Sequence, residues 1–156
     1  MSDSGGIKVL AICGSLRKDS YNMAALRVAI AQKPPGMTVE VADISQIPLY
    51  NEDVRQQGFP PTVETLRRQI KEADALLFAC PEYNYSMSGV LKNAIDWASR
   101  PPDQPFAGKP CAISWSRSRP GHARSPEGNS WIDLCASFET PATRAPQDEE
   151  DLFDAV

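Results

Sequence analysis

Histidine is nearly absent: His122 is the only one in 156 residues. It stands in a polar, arginine-rich stretch, which predicts solvent exposure. A lone histidine removes support for a His-based metal site or a Ser-His-Asp triad. Positive charge is also short. Sixteen Lys and Arg face twenty Asp and Glu, giving a net charge of -4. No basic stripe appears, which argues against a general nucleic-acid binder. No apolar run approaches the ~20 residues needed to cross a bilayer. Residues 1–6 lack the charged and apolar regions of a secretory signal, so the expected compartment is the cytoplasm and no membrane partner is expected. The four cysteines follow no zinc spacing. Cys13, Cys80 and Cys111 each lie in or at the end of an apolar run. They read as small buried hydrophobes, with a redox or catalytic thiol as the alternative.

What is present is an alternation of strand and helix patterns in the first two thirds. The length suits one domain with a real core. Ile7 to Cys13 reads as a fully buried strand. Asn22 to Gln32 reads as a helix with Met23, Leu26, Val28 and Ile30 apolar, stopped by Pro34-Pro35. Thr38 to Ile44 alternates as a half-buried or edge strand. A loop with Pro48, Asn51 and Asp53 follows. Pro60-Pro61-Thr62 opens a second helix, with Val63, Leu66, Ile70 and Ala73 on one face. Ala75 to Cys80 is a wholly apolar strand, Pro81 to Ser88 a polar loop, and Gly89 to Ser99 a third helix. Lys109 to Trp115 begins a fourth strand.

Strands that are apolar throughout and separated by helices predict a parallel sheet covered on both faces, with right-handed crossovers. In such sheets ligands sit beyond the carboxyl ends of the strands. The polar segments 14–22 and 81–88 both fall at such ends. If the first and third strands are neighbours, one ligand can touch both, in the strand order 2-1-3-4-5.

Segment 14–22, Gly-Ser-Leu-Arg-Lys-Asp-Ser-Tyr-Asn, runs from a buried strand into a helix start. Backbone N–H groups, Ser and Asn side chains and the positive end of the helix converge there, which makes an anion cradle suited to a phosphate monoester. An ordinary Ser-capped helix start is the plainer reading.

Three stretches together resemble the NAD(P)H-dependent FMN reductases, a flavodoxin-like family that includes quinone, chromate and azo-dye reductases. They are Gly14-Ser15-Leu16-Arg17-x-x-Ser20-x-Asn22, Pro81-Glu82-Tyr83-Asn84-Tyr85-Ser86, and Gly89-x-Leu91-Lys92-Asn93-Ala94-Ile95-Asp96-Trp97. The resemblance covers roughly residues 7–115. It implies a flavodoxin-like doubly wound α/β fold. It also implies FMN as cofactor, NAD(P)H as co-substrate and hydride transfer through the flavin to a small-molecule acceptor: a quinone, free flavin, azo compound or metal oxyanion. By position, Ser15, Arg17, Ser20, Tyr21 and Asn22 fall at the FMN phosphate. Pro81, Glu82, Tyr83, Asn84 and Ser86 fall along the isoalloxazine. Small residues at Ser86, Ser88 and Gly89 would leave room for a second planar ring. The flavin carries the redox chemistry, so no catalytic acid or base is expected from the protein, and no metal. Homodimers or homotetramers, with the third helix at the interface, are implied as well. A flavodoxin-type electron carrier and a truncated inactive remnant are the alternatives.

Plainer readings stand beside several of these residues. Glu82 could be a solvated charge or an oligomer contact, and Tyr83 and Tyr85 could pack at a subunit interface. Ile95 and Trp97 read as core or interface residues. Asp96, one turn after Lys92, reads as its i,i+4 ion-pair partner.

From Ser116 the pattern fails. Residues 116–156 hold only Ile132, Leu134, Leu152 and Val156 as aliphatics beyond alanine, together with four prolines and no lysine. The expected division is an incomplete FMN-binding domain, 1–115, and an irregular tail, 116–156. The family follows its fourth strand with a Gly-Ala-Ser-Pro-Gly-Arg-like loop. Here Ser114-Trp115-Ser116-Arg117-Ser118-Arg119-Pro120-Gly121 stands instead. Trp115 can only be TGG; if Ser116 uses an AG-type codon, a shifted frame yields GGA, glycine, followed by an alanine or valine codon, so that a Gly-Ala-x-Pro-Gly-Arg run is reachable with permitted codons. The sequence after about residue 113 is therefore expected to be a frameshifted translation, with a divergent tail as the alternative.

Overall fold

A computed structural model describes residues 6–117. Among these, five strands and four helices occur in the order β1 (Ile7–Cys13), α1 (Tyr21–Ala31), β2 (Met37–Ala42), α2 (Glu52–Gln56), α3 (Pro61–Glu72), β3 (Ala75–Tyr83), β4 (Ser86–Met87), α4 (Gly89–Ala98) and β5 (Cys111–Arg117). The four long strands are parallel and lie in the order β2-β1-β3-β5. This is the flavodoxin-like arrangement that the sequence predicts.

The sheet is buried from both sides, which is why its central strands carry no polar alternation. On one face Ala11, Cys13 and Ala79 pack against Leu26 of α1, joined by the half-buried Met23 and Leu77. On the other face Leu10, Ile12, Leu76 and Phe78 meet Leu66 and Ile70 of α3 and Leu91 and Ala94 of α4. The predicted face of α3 is the buried one, with Val63 and Ile70 fully enclosed. On α1 the buried positions are Asn22 and Leu26, a four-residue spacing that turns Val28 outward to 61% exposure.

Several elements differ from expectation. The first strand is buried only from Leu10 onward: Ile7 and Lys8 are exposed and Val9 is half-buried. The loop after β2 contains the short helix α2. Asn51 caps it by accepting from the Asp53 backbone N–H at 2.9 Å. β3 does not stop at Cys80 but runs on through Pro81, Glu82 and Tyr83. Two partners hold this extension. β5 pairs with it up to Glu82–Arg117, and β4 folds back antiparallel, with Glu82 opposite Met87 and Tyr83 opposite Ser86. Asn84 and Tyr85 form the two-residue turn, both at positive φ (51° and 63°), which is the twist that a tight hairpin needs.

β5 extends two residues past the expected boundary at 115, in register with β3. Backbone ladder bonds do not depend on which side chains the strand carries. The expectations for His122 and for the irregular tail beyond β5 fall on residues 118–156, outside the described residues.

Candidate functional site

β5 occupies one edge of β3 from Leu76 to Glu82. β1 and β4 therefore share the other edge in succession: β1 pairs as far as Ala79, and β4 takes over at Glu82. The chain leaving β1 must pass directly under the β3–β4 hairpin. Gly14 makes that passage. Its N–H donates to the Ala79 carbonyl at 2.8 Å, and its carbonyl accepts from the Ser88 hydroxyl at 2.6 Å. A Cβ at position 14 would lie 2.9 Å from both Pro81 Cδ and Ser88 Oγ, a contact that only glycine avoids. The two polar segments singled out in the sequence thus meet at one end of the sheet.

Beyond Gly14 the loop emerges into solvent. Ser15 is half-buried, while Leu16, Arg17, Lys18 and Asp19 are exposed. The Arg17 guanidinium folds back to donate to the Asp19 carbonyl at 2.8 Å. Ser20 then buries itself as the cap of α1, its hydroxyl accepting from the Asn22 N–H at 3.2 Å. Tyr21 points outward at 80% exposure. Asn22 is 4% exposed, and its Oδ1 accepts from the Ser116 hydroxyl at 3.0 Å. With the oxygen engaged, the Asn22 amide NH2 has no acceptor among the described residues. An anion at the start of α1 would supply one. The donor set, an asparagine amide, an arginine and the N-terminus of an eleven-residue helix, fits a phosphate group.

On the hairpin side, Pro81 is buried and Glu82 half-buried, while Tyr83, Asn84, Tyr85 and Ser86 line an exposed turn. Trp115 Nε1 donates to Glu82 Oε2 at 2.8 Å, linking the ends of β3 and β5. Ser88 leaves no open space, contrary to expectation. It is 1% exposed and caps α4, accepting from the Leu91 N–H at 3.3 Å while donating to Gly14. The sequence signal for this second task was absent, because the Gly14 carbonyl lies 74 residues away.

The remaining expectations resolve simply. Lys92 and Asp96 pair, at 2.5 Å. Trp97 is fully buried and donates through Nε1 to the Pro48 carbonyl at 2.9 Å, stacked edge-on with Tyr50. Cys13 and Cys80 are buried and Cys111 half-buried. Burial pushes the Cys80 and Cys111 thiols up from their ordinary range. A raised thiol is a poor nucleophile. Among the described residues, no cluster of His, Cys, Asp and Glu could hold a metal, and no helix is long and apolar enough to cross a membrane.

Comparison with known proteins bears on the same residues. The family model of NADPH-dependent FMN reductases matches residues 7–127, more than three quarters of the chain. The chain belongs to this family. It is 69% identical over 126 residues to an NAD(P)H-dependent FMN reductase of Pseudomonas aeruginosa, covering 80% of this chain and 67% of that protein. It is 51% identical over 112 residues to a quinone reductase of Escherichia coli, covering 70% of this chain and 60% of the relative. Among solved structures it resembles a flavoenzyme NAD(P)H:(acceptor) oxidoreductase of Paracoccus denitrificans. There the TM-score is 0.66 at 38% identity, over 70% of this chain and 60% of the other. The chain thus spans about 60–67% of the length of these relatives.

Proposed function

We propose that this chain is an FMN-dependent NAD(P)H oxidoreductase that passes reducing equivalents to a small-molecule acceptor, with a quinone first among the candidates. The observation that carries this reading is the meeting of the two polar segments at Gly14, locked by the Ser88 hydroxyl at 2.6 Å. One ligand with a phosphate at one end and a flat polar ring at the other can touch both.

Each residue then has a task. Asn22, Ser15, Ser20, Arg17 and the first N–H groups of α1, at Tyr21, hold the phosphate. Pro81, Glu82, Tyr83, Asn84 and Ser86 border the ring and supply backbone donors and acceptors. The Asn84-Tyr85 turn fixes the direction in which those backbone groups point. Bound flavin supplies the hydride chemistry, so the protein's part is to bind, orient and restrict solvent. The wider acceptor range, which extends to free flavin, azo compounds and metal oxyanions, belongs to this proposal. So do a homodimeric or homotetrameric assembly with α4 at the interface and a cytoplasmic setting. The family and the sequence similarity to reductases named for FMN and quinones support the reading.

Fluorescence titration of the purified protein with FMN tests it. Saturable quenching that riboflavin, lacking the phosphate, does not reproduce at comparable affinity supports the reading. Equal affinity for both compounds, or no binding, defeats it.

A further inference from the structure

Among the described residues the outermost long strands of the sheet are β2 and β5, each paired on one side only. An open edge offers N–H and C=O groups to any other strand, and proteins guard such edges with charge. β2 is guarded. Glu40 stands exposed in mid-strand, its Oε1 accepting from Gln69 Nε2 at 2.7 Å. β5 has no such guard. From Cys111 to Ser116 it carries no charged side chain, and each of these residues is half-buried or exposed. Ile113 is only partly buried against the core formed with α3 and α4, and Trp115 is 36% exposed.

The parallel ladder fixes which backbone groups of β5 face outward. The Leu76 N–H donates to the Pro110 carbonyl at 3.0 Å, and Leu76 lies opposite Cys111. Backbone groups alternate sides along a strand, so Pro110, Ala112, Ser114 and Ser116 turn theirs to β3. Cys111, Ile113, Trp115 and Arg117 turn theirs to the open edge. An antiparallel partner must therefore set its own outward-facing residues against these four. A copy of β5 meets that condition over the whole strand. With the two-fold axis at Ser114, Cys111 lies opposite Arg117 and Ile113 opposite Trp115. The pair of Ile113 and Trp115 then forms twice, an aliphatic against an aromatic side chain, which is a favourable cross-strand match. The chain that follows is a poorer occupant. Residues 118–127 include Pro120 and Pro126 and no aliphatic beyond alanine, and proline cannot donate to a ladder.

We infer that the outer edge of β5 is a self-association surface whose occupant is β5 of a second copy, antiparallel about Ser114. Such a contact is isologous and closes on itself as a dimer. It is separate from the α4 face, and it holds whether or not the chain takes up a flavin.

Sedimentation velocity of the whole chain, with variants at Ser114, tests it. In this register the two Ser114 residues form a non-hydrogen-bonded pair with Cα atoms ~4.5 Å apart, a separation that a disulfide spans. Ser114→Cys should therefore cross-link to itself when oxidised glutathione accepts the electrons and protons of the two thiols. Peptide mapping should find the 114–114 link and no Cys111–Cys111 link. Ser114→Lys and Ser114→Asp each set like charges opposite one another and should weaken association about tenfold. An equimolar mixture of the two should restore it, which also shows that both variants fold. A wild-type chain that stays monomeric, association that neither charge changes, no recovery on mixing, or a Cys111–Cys111 link overturns the assignment. Slow hydrogen exchange of the Ile113 and Trp115 amides in a monomer also overturns it, because the chain's own later residues would then occupy the edge.

Discussion

The Ser88 hydroxyl donates to the Gly14 carbonyl across 2.6 Å and at the same time caps α4. One side chain thus sets the distance between the loop that follows β1 and the hairpin that follows β3. Ser88→Ala removes both bonds and leaves a buried carbonyl without its partner. The expected loss is about 1–3 kcal/mol, the range for a lost cap or an unsatisfied buried acceptor. Gly14→Ala forces a 2.9 Å contact with the Pro81 ring, and overpacking of this kind costs ~1–3 kcal/mol. Urea unfolding measures both. FMN affinity should fall with each, because both variants separate the two halves of the cradle.

Arg17 is exposed, and among the described residues its guanidinium bonds only to a neighbouring carbonyl. Arg17→Ala should therefore leave the unfolding midpoint in place. Loss of one charge-assisted bond to phosphate should weaken FMN binding by ~1.5–3 kcal/mol, about 10–150-fold. Riboflavin binding should not change. An unaltered FMN affinity would remove Arg17 from the phosphate site.

α4 separates surface charge from core packing. Its Lys92–Asp96 pair is exposed on the lysine side at 58%, and Lys92→Ala should shift stability by no more than ~0.5 kcal/mol. Trp97 on the opposite face is fully buried and holds Pro48, so Trp97→Ala should cost ~3–5 kcal/mol. Thermal unfolding of the two variants distinguishes these effects directly.

Burial raises the Cys80 thiol, against a weaker opposing effect of the Ser88 backbone. The folded state therefore keeps this proton more tightly than the unfolded state, in which the thiol titrates near 8.5. The stability that this provides is complete below that pH. It is lost as pH rises through the folded value. Cys80→Ala should flatten the alkaline part of the stability–pH curve, as measured by urea unfolding at pH 7 through 10. A curve of unchanged shape would count against it.

Much of the fold was legible because its signals are local and redundant. The runs of β1 and β3 are apolar over a full strand length. The Val63, Leu66, Ile70 spacing of α3 follows the helical period, and the order β2-β1-β3-β5 is the one that the resemblance to the FMN reductases implies. What escaped depended on distant partners or on weak local preference. Pro81, Glu82 and Tyr83 look like a loop, since Pro lacks a ladder N–H and Glu and Tyr follow it. They are held as strand by β4 and β5 on either side. The Asn84-Tyr85 turn lacks the glycine that usually marks such a turn. α2 is five residues long, below the length at which periodicity can be read. At the site, the placement of the two polar segments at strand ends was readable from their small and polar residue types. The Ser116 bond to Asn22 and the Ser88 bond to Gly14 join residues 94 and 74 positions apart, and no spacing rule reaches that far.

The sequence after about residue 113 bears on how well the cradle works. On the reading that it is translated out of frame, a chain carrying the same gene segment in the alternative frame should bind FMN more tightly. It should also protect β5 amides better in hydrogen exchange. Equal affinity and equal protection would show the present tail to be a working part of the protein.

The central claim is that the joined loops at Gly14 hold a flavin that NAD(P)H can reduce. Anaerobic mixing of the FMN-loaded protein with NADPH, followed by flavin absorbance, tests it most directly. The account predicts rapid bleaching of the bound flavin, with colour restored on addition of a quinone. A protein that holds FMN but keeps its absorbance in excess NADPH would be an electron carrier, and one that never takes up FMN would be an inactive remnant. Either result contradicts the claim.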